Sequence, residues 1–481
     1  MRKFFSSHPL FLFGQAGLLT AILFVNGQAL AQSEVHSLSL DDAIHRALGV
    51  GEEIALAKGG VQSAEGNQSI ATSGMLPQIS ASGNYTLTIK SQYSALASLP
   101  DTGVNGALNS LFKNLPFGKK NQWTLGLNAS ENIFTGGRLV ALQDAAKARR
   151  QSADIDLTAA QAQLVLSVTQ SYYDAILADT IVKISRDALD QAEKVYQQTN
   201  LAYQVGEKAE FDALTAKVSR DNQIPVVIQG EDSRAQAYYR LKQLLNYSLD
   251  DSLELTTPIV DSQARFAMMS DTATERRSSV IQAGLNIDAS NAQVRIAESA
   301  HWPQISISSS YAPVAYPNNI FPNWSDWYTN WTAAVNVSIP IYTGGNISGN
   351  VEVAEGSVEQ ANARMEQARE AAAMDSRVSF DALHSAEANL RSTASTASEA
   401  KRAYDIASVR YAQGISTEVE LNDSRIQEEQ ARENSARAVR NYQVARAKLS
   451  LLKDLPVNPI ASSTNNSSSA SSSMQGAPTG Q

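Results

Sequence analysis

The chain contains no cysteine, so no disulfide contributes to its stability and no acylated N-terminal cysteine is expected. Its five histidines (His8, His36, His45, His301 and His384) are scattered, and no pair has metal-site spacing. No glycine-rich nucleotide motif and no Ser-His-Asp signature is present. These absences read as a protein that is not an enzyme, with no cofactor and no metal. Beyond the first 31 residues no long apolar run remains, so no helix is expected to span a bilayer. A net charge of −9 argues against a nucleic-acid partner. From Arg138 to Leu201 there is neither glycine nor proline, which predicts one helix approaching 100 Å at ~1.5 Å per residue.

The N-terminus has the features of an export signal over residues 1–31. Arg2 and Lys3 are followed by a mainly apolar stretch, Leu10 to Val25, and by the small-residue site Ala29-Leu30-Ala31. Gly14 and Gln15 interrupt the apolar stretch, which argues against a membrane-spanning helix. The other end, residues 456–481, is Ser, Asn, Gly and Pro without pattern and is expected to be disordered.

Between these ends the sequence is a duplication. Thr135-Gly136-Gly137 is repeated as Thr343-Gly344-Gly345, and Tyr203-Gln204-Val205-Gly206 as Tyr411-Ala412-Gln413-Gly414. Pro77-Gln78-Ile79-Ser80 likewise returns as Pro303-Gln304-Ile305-Ser306. The two halves are residues 32–260 and 261–455. The stretch from Pro77 to Gly136 is longer than that from Pro303 to Gly344, and the surplus falls in a surface loop between strands.

Each half opens with a helical stretch, the first over residues 38–74 with Asp41 or Asp42 as its cap. Pro77 and Pro303 stop these helices and begin strands. Strands are expected at about 78–91, 121–134, 304–314 and 331–341. In each, apolar residues (Ile79, Tyr85, Trp123, Leu127, Ile307, Val335) alternate with Ser, Thr, Asn and Gln. A soluble sandwich would show the same alternation. The nearly uncharged polar face suits a wet lumen, and all five tryptophans lie in or beside these segments, as at a membrane interface. Both observations favour an outer-membrane barrel. Residues 91–121 and 315–330 are expected to be loops at its outer end.

After each Gly-Gly corner (Gly136-Gly137, Gly344-Gly345) comes a long helix, a turn at Gly206 or Gly414, and a returning helix. The hairpins are expected over 138–247 and 346–453. Their thin apolar stripes must pack on other long helices, as in a coiled coil. Four strands cannot close a membrane barrel, and an open edge in lipid is not viable. Several copies must therefore share one barrel, continued by helices that reach far beyond the membrane.

In the order of these paired motifs the chain resembles the TolC family of outer-membrane efflux and export proteins over nearly its whole mature length. The resemblance implies a mixed α/β membrane protein. It would be a homotrimer with a twelve-stranded β-barrel, four strands per chain, continuing into an α-helical coiled-coil barrel. It implies the Gram-negative outer membrane with a long periplasmic extension, and contact with outer-membrane lipid. It also implies a periplasmic adaptor (membrane fusion) protein and an inner-membrane pump of RND, ABC or MFS type, which would supply the energy for efflux or type I secretion.

The turns at Gly206 and Gly414 would be the periplasmic tips, where the tunnel closes and the adaptor docks. Matching residues are Tyr203, Gly206, Asp212, Tyr411, Gly414, Glu420 and Asp423. The resemblance implies a hydrogen bond from Tyr411 to Asp212, and acidic rings about the trimer axis. Where some relatives carry a closing arginine this chain has Ser416. The same glycines and acids also suit plain helix capping and the helix dipole. Trp123, Trp302 and Trp331 would mark membrane interfaces. Without a barrel, the alternative is a periplasmic coiled-coil adaptor or a structural protein. The cargo, whether drug, metal or protein, is not written in this chain.

Overall fold

The computed structural model describes residues 35–90, 119–258 and 274–457. The export signal, most of the loop 91–121, the linker after 258 and the C-terminal tail lie outside the described residues.

The first helical stretch is two helices rather than one, α1 (Leu40–Val50) and α2 (Glu52–Ser73). Gly51 divides them in an extended conformation, φ −62° and ψ 129°. A Cβ there would lie 2.6 Å from the Ala47 carbonyl oxygen. The cap is Ser39, not Asp41 or Asp42: its side chain accepts from the Asp42 amide. A short strand, β1 (Val35–Leu38), precedes them.

β2 (Gln78–Leu87) pairs antiparallel with β3 (Asn121–Phe134). The corner Thr135-Gly136-Gly137 leads into α3 (Arg138–Gln204), and α4 (Glu210–Leu244) returns, passing through Pro225. β4 (Ser252–Leu255) lies parallel to β1. The second half repeats the plan. Its elements are α5 (Ser278–Glu298), β5 (Gln304–Tyr311), β6 (Val314–Ala315), β7 (Trp327–Tyr328), β8 (Trp331–Ser338), α6 (Asn346–Ala412) and α7 (Glu418–Leu451). α3 and α6 each contain 67 residues, about 100 Å at 1.5 Å per residue.

Three boundaries differ from expectation. The strand expected at 331–341 ends at Ser338, two residues before Pro340, and β2 ends at Leu87 rather than 91. The strand expected at 304–314 is broken at Ala312-Pro313 and resumes as β6. Proline lacks the N–H that a ladder position needs. The segment expected to be all loop, 315–330, therefore contains β7, which pairs with β6.

The long strands form one antiparallel sheet in the order β2–β3–β5–β8, so the two halves join through β3 and β5. Cross-strand pairs sort most residues by face, although Glu131, opposite Ile307, and Asn121, opposite Leu87, fall on the apolar side. Tyr85 faces Trp123, Leu127 faces Tyr311, and Tyr311 faces Trp331 on the apolar side. Asn128 faces Ser310 and Asn336 faces Ser306 on the polar side, where Ser310 donates to Asn128 at 2.7 Å. The large residues of the apolar side are exposed, including Ile79, Leu127, Ile307, Val335 and Val337. Among the described residues β2 and β8 pair along one edge only.

The helices form a second layer beyond the corners. α3 is central: α2 and α5 flank its first part, α4 and α7 the rest. α5 also packs along α6, whereas α2 packs along α3 alone of the long helices. The main apolar core lies midway along α3. Leu164, Val168 and Tyr172 meet Ile44 of α1, Leu241 of α4 and Leu38 of β1 there. Tyr172 ties the parallel strand pair in place, donating to the Leu38 carbonyl at 2.9 Å and accepting from the Thr257 amide at 3.0 Å.

Candidate functional site at the helical tips

Both hairpin ends are the same turn. At the first, the Glu207 amide donates to the Ala202 carbonyl at 2.8 Å and Gly206 to Tyr203 at 3.0 Å. At the second, Ile415 donates to Arg410 at 2.9 Å and Gly414 to Tyr411 at 3.0 Å. Each is a Schellman cap, which needs a left-handed residue after the helix. Gly206 (φ 82°) and Gly414 (φ 71°) fill that position, and nothing crowds either one. Their choice is explained by backbone conformation alone.

The two tips differ in what surrounds them. Tyr411 is buried with Ala407 and Leu421, and Lys208 of the other hairpin sits 4.9 Å over its ring. Tyr203, its counterpart in the repeat, is exposed. The bond expected between Tyr411 and Asp212 is not made. Tyr411 Oη instead lies 2.6 Å from Thr199 Oγ1, on α3. Burial raises the Tyr411 pKa, and the charges of Glu418 and Asp212 add to that.

The acids at matching repeat positions also part company. Asp212 is half-buried beside Tyr411 and Glu418, whereas Glu420 is exposed and paired with Arg410 at 3.0 Å. Asp423 is exposed. Ser416 is buried, its hydroxyl 3.5 Å from the Ala407 carbonyl.

Sequence reasoning passed over Glu418, which looks like an ordinary acid in a first helical turn. It is only 5% exposed, and its Oε2 has no hydrogen-bond partner. Burial raises its pKa, Asp212 and Asp423 raise it further, and Arg425 opposes them.

Above Glu418 the hairpins are cross-linked by a polar cluster. Arg425 reaches Gln223 at 3.2 Å and Asn422 at 3.0 Å, Gln223 donates to Glu429 at 2.7 Å, and Ser219 donates to Asn422. Farther up, Arg432 pairs with Asp187 at 2.9 Å and Arg440 grips Asp174 at 2.7 and 3.1 Å. The i, i+4 spacing of Arg425 and Glu429 was a visible signal, but their partner Gln223 is not adjacent in sequence. The arrangement holds α7 against α3 and α4. Among the described residues no group of His, Asp and Glu could hold a metal ion.

At the other end of α3, Gly136 (φ 62°) and Gly137 (φ 85°) make the corner, as Gly344 (φ 60°) and Gly345 (φ 85°) do for α6. Trp302 packs directly on Gly136, where an added Cβ would lie 2.6 Å from its own Cβ. Pro77 and Pro303 each stand immediately before a strand.

The whole arrangement has close parallels. The chain is 24% identical over 327 residues to outer membrane protein TolC of Vibrio cholerae, covering 66% of this chain and 73% of that protein. It is 24% identical over 387 residues to the pyoverdine export outer membrane protein OpmQ of Pseudomonas aeruginosa, covering 79% and 77%. The fold matches the Campylobacter jejuni CmeC outer membrane channel with a TM-score of 0.73 at 17% identity, covering 86% and 85%. The Neisseria gonorrhoeae MtrE channel in its open state matches with a TM-score of 0.70 at 18% identity, covering 86% and 89%. A family model described as outer membrane efflux protein matches residues 43–247 and 269–452. With both halves matched, the chain belongs to the outer membrane efflux protein family.

Proposed function

We propose that three copies of this chain close a twelve-stranded barrel in the outer membrane and that their hairpins continue it as a tunnel into the periplasm. The observation that carries this reading is the sheet β2–β3–β5–β8, mainly apolar on one side and polar on the other, whose outer strands are unpaired at their far edges among the described residues. Such edges in lipid demand partners, and copies of the same sheet supply them. The polar side then lines a wet lumen, and the exposed apolar side meets lipid, with Trp123 and Trp331 at its outer rim. The open flank of α2 accepts the helices of the next copy.

In this reading the protein is the passive exit duct of a tripartite efflux or type I secretion system. A periplasmic adaptor docks at the tips, and an inner-membrane pump supplies energy. Residues around Tyr203, Gly206, Asp212, Tyr411, Gly414, Glu420 and Asp423 form the gate, joined by Thr199 and Glu418. Relatives are named for pyoverdine export and for cation efflux. The pump selects the cargo of this chain.

The native mass of the mature protein, extracted from outer membranes in detergent, tests the assembly. Three copies per particle are expected. A monomer that needs no detergent would overturn the barrel and favour a periplasmic adaptor or structural protein.

A further inference from the structure

The segment between β6 and β7 does not stand above the sheet but folds across one side of it. Asn121 and Trp123 are both on the apolar side of β3, since Asn121 pairs with Leu87 and Trp123 with Tyr85. Asn121 donates to the Asn319 carbonyl at 2.9 Å, and Trp123 Nε1 donates to the Ile320 carbonyl at 2.7 Å. Phe321 then stacks on the Trp123 ring at 6.2 Å. These contacts place residues 318–321 on the outer side of the wall, beside a tilted Tyr85–Trp123 ring pair at 4.9 Å.

Beyond Phe321 the chain makes a short turn held by a capping box. Asn323 and Asp326 cap each other, with the Asn323 amide donating to Asp326 at 2.7 Å. This turn presents Trp324, which is 96% exposed, while Phe321 is 74% exposed and Ile320 is also exposed. Trp324 on this turn, with Ile320 and Phe321 just before it, makes an exposed apolar group that calls for an apolar partner. Lys119 donates to Asn318 at 2.7 Å, so the same rim carries a positive charge suited to an anionic headgroup.

We propose that residues 318–326 are an outer-leaflet anchor whose Ile320, Phe321 and Trp324 side chains sit in the headgroup–acyl boundary of the lipid around the barrel. The reading rests on the barrel proposed above, because it takes the apolar side of the sheet as the lipid-facing one. Continuity decides the occupant: the patch extends the side that already carries Leu125, Leu127 and Val335. Aromatic rings favour this boundary, where one part of the ring is dry and another wet.

The absence of cysteine makes the test direct. Trp324→Cys, Leu127→Cys and Asn128→Cys are labelled separately with an environment-sensitive fluorophore. Each full-length protein is placed in phosphatidylethanolamine–phosphatidylglycerol vesicles holding phosphatidylcholine with a nitroxide at the headgroup or deep in the chain. The label at 324 should lose emission to the shallow nitroxide, that at 127 to the deep one, and that at 128 to neither. Quenching at 127 with none at 324 overturns the anchor and leaves the barrel standing. Absence of quenching at 127 as well overturns both. A label could itself seek lipid, so intrinsic emission decides: Trp324→Ser should reduce shallow-nitroxide quenching of tryptophan, and an unchanged loss of emission overturns the anchor.

Discussion

Tyr411 Oη and Thr199 Oγ1 lie 2.6 Å apart, one on each helical hairpin. Few side-chain bonds tie the hairpins this close to their ends, and this one is buried. Tyr411→Phe is expected to loosen the tip by about 1 kcal/mol, the usual net value of such a bond, and Thr199→Val by a similar amount. Single-channel conductance in planar bilayers should rise for either variant. The double variant should open little further, because both changes remove one bond. Additive effects would show that the two residues act separately.

Glu418 is a buried acid whose pKa is raised by burial and by Asp212 and Asp423. An acid with a raised native pKa binds its proton more tightly folded than unfolded. Its contribution to stability is therefore full below the ordinary glutamate value, about 4.3, and is lost as pH rises through the higher native value. Glu418→Gln should raise the melting temperature at neutral pH and flatten its dependence on pH across that window. A steeper dependence in the variant would contradict the assignment.

Arg277 has no exposed side-chain surface and donates to Asp375 at 2.9 Å and Ser376 at 3.2 Å, while Lys448 approaches Asp375 at 3.0 Å. Burial pushes the Asp375 carboxyl up, but Arg277 and Lys448 more than offset it and hold the pKa below normal. Arg277→Ala empties a buried site and leaves Asp375, which is partly exposed, with Lys448 as its remaining partner, so it should cost about 1–3 kcal/mol. Denaturant unfolding in detergent would measure this. The pair's contribution should be present above the ordinary aspartate value and fade as pH falls through the depressed one.

Gly414 and Gly136 both need positive φ, yet their substitutions should differ. At Gly414 an added Cβ meets open space, so Gly414→Ala carries only the left-handed backbone penalty of about 1–2 kcal/mol. At Gly136 the same Cβ would strike Trp302 and the Ser299 carbonyl, at 2.6 and 2.7 Å. Gly136→Ala should therefore be the more damaging change by thermal unfolding. Equal losses would mean that the corner yields easily.

Much of this was legible from the sequence, for reasons that also mark where legibility stops. Alternation over ten or more residues revealed β2 and β3, and the glycine-free run revealed α3, because each pattern outlasts chance. The paired β1 and β4 were not foreseen, since four residues leave no period to read. The division at Gly51 was also missed, because glycines are scattered throughout that stretch. At the tips, repeat register pointed to Asp212 and Glu420, but register records ancestry and not surroundings. Tyr411 and Thr199 are 212 positions apart, and only packing brings them together.

The two Gly-Gly corners share a backbone but not a setting. Trp302, from the second half, seals Gly136 in the first, while among the described residues a Cβ added at Gly344 would meet nothing within 4 Å. By the internal repeat, the residue standing to Gly344 as Trp302 stands to Gly136 is Leu76, which is exposed. It belongs to the next copy in the proposed trimer. A ring of three chains would thus have six quasi-equivalent joints, three closed within a chain and three between chains. In that assembly one of the two corners of each chain would be closed by a neighbour.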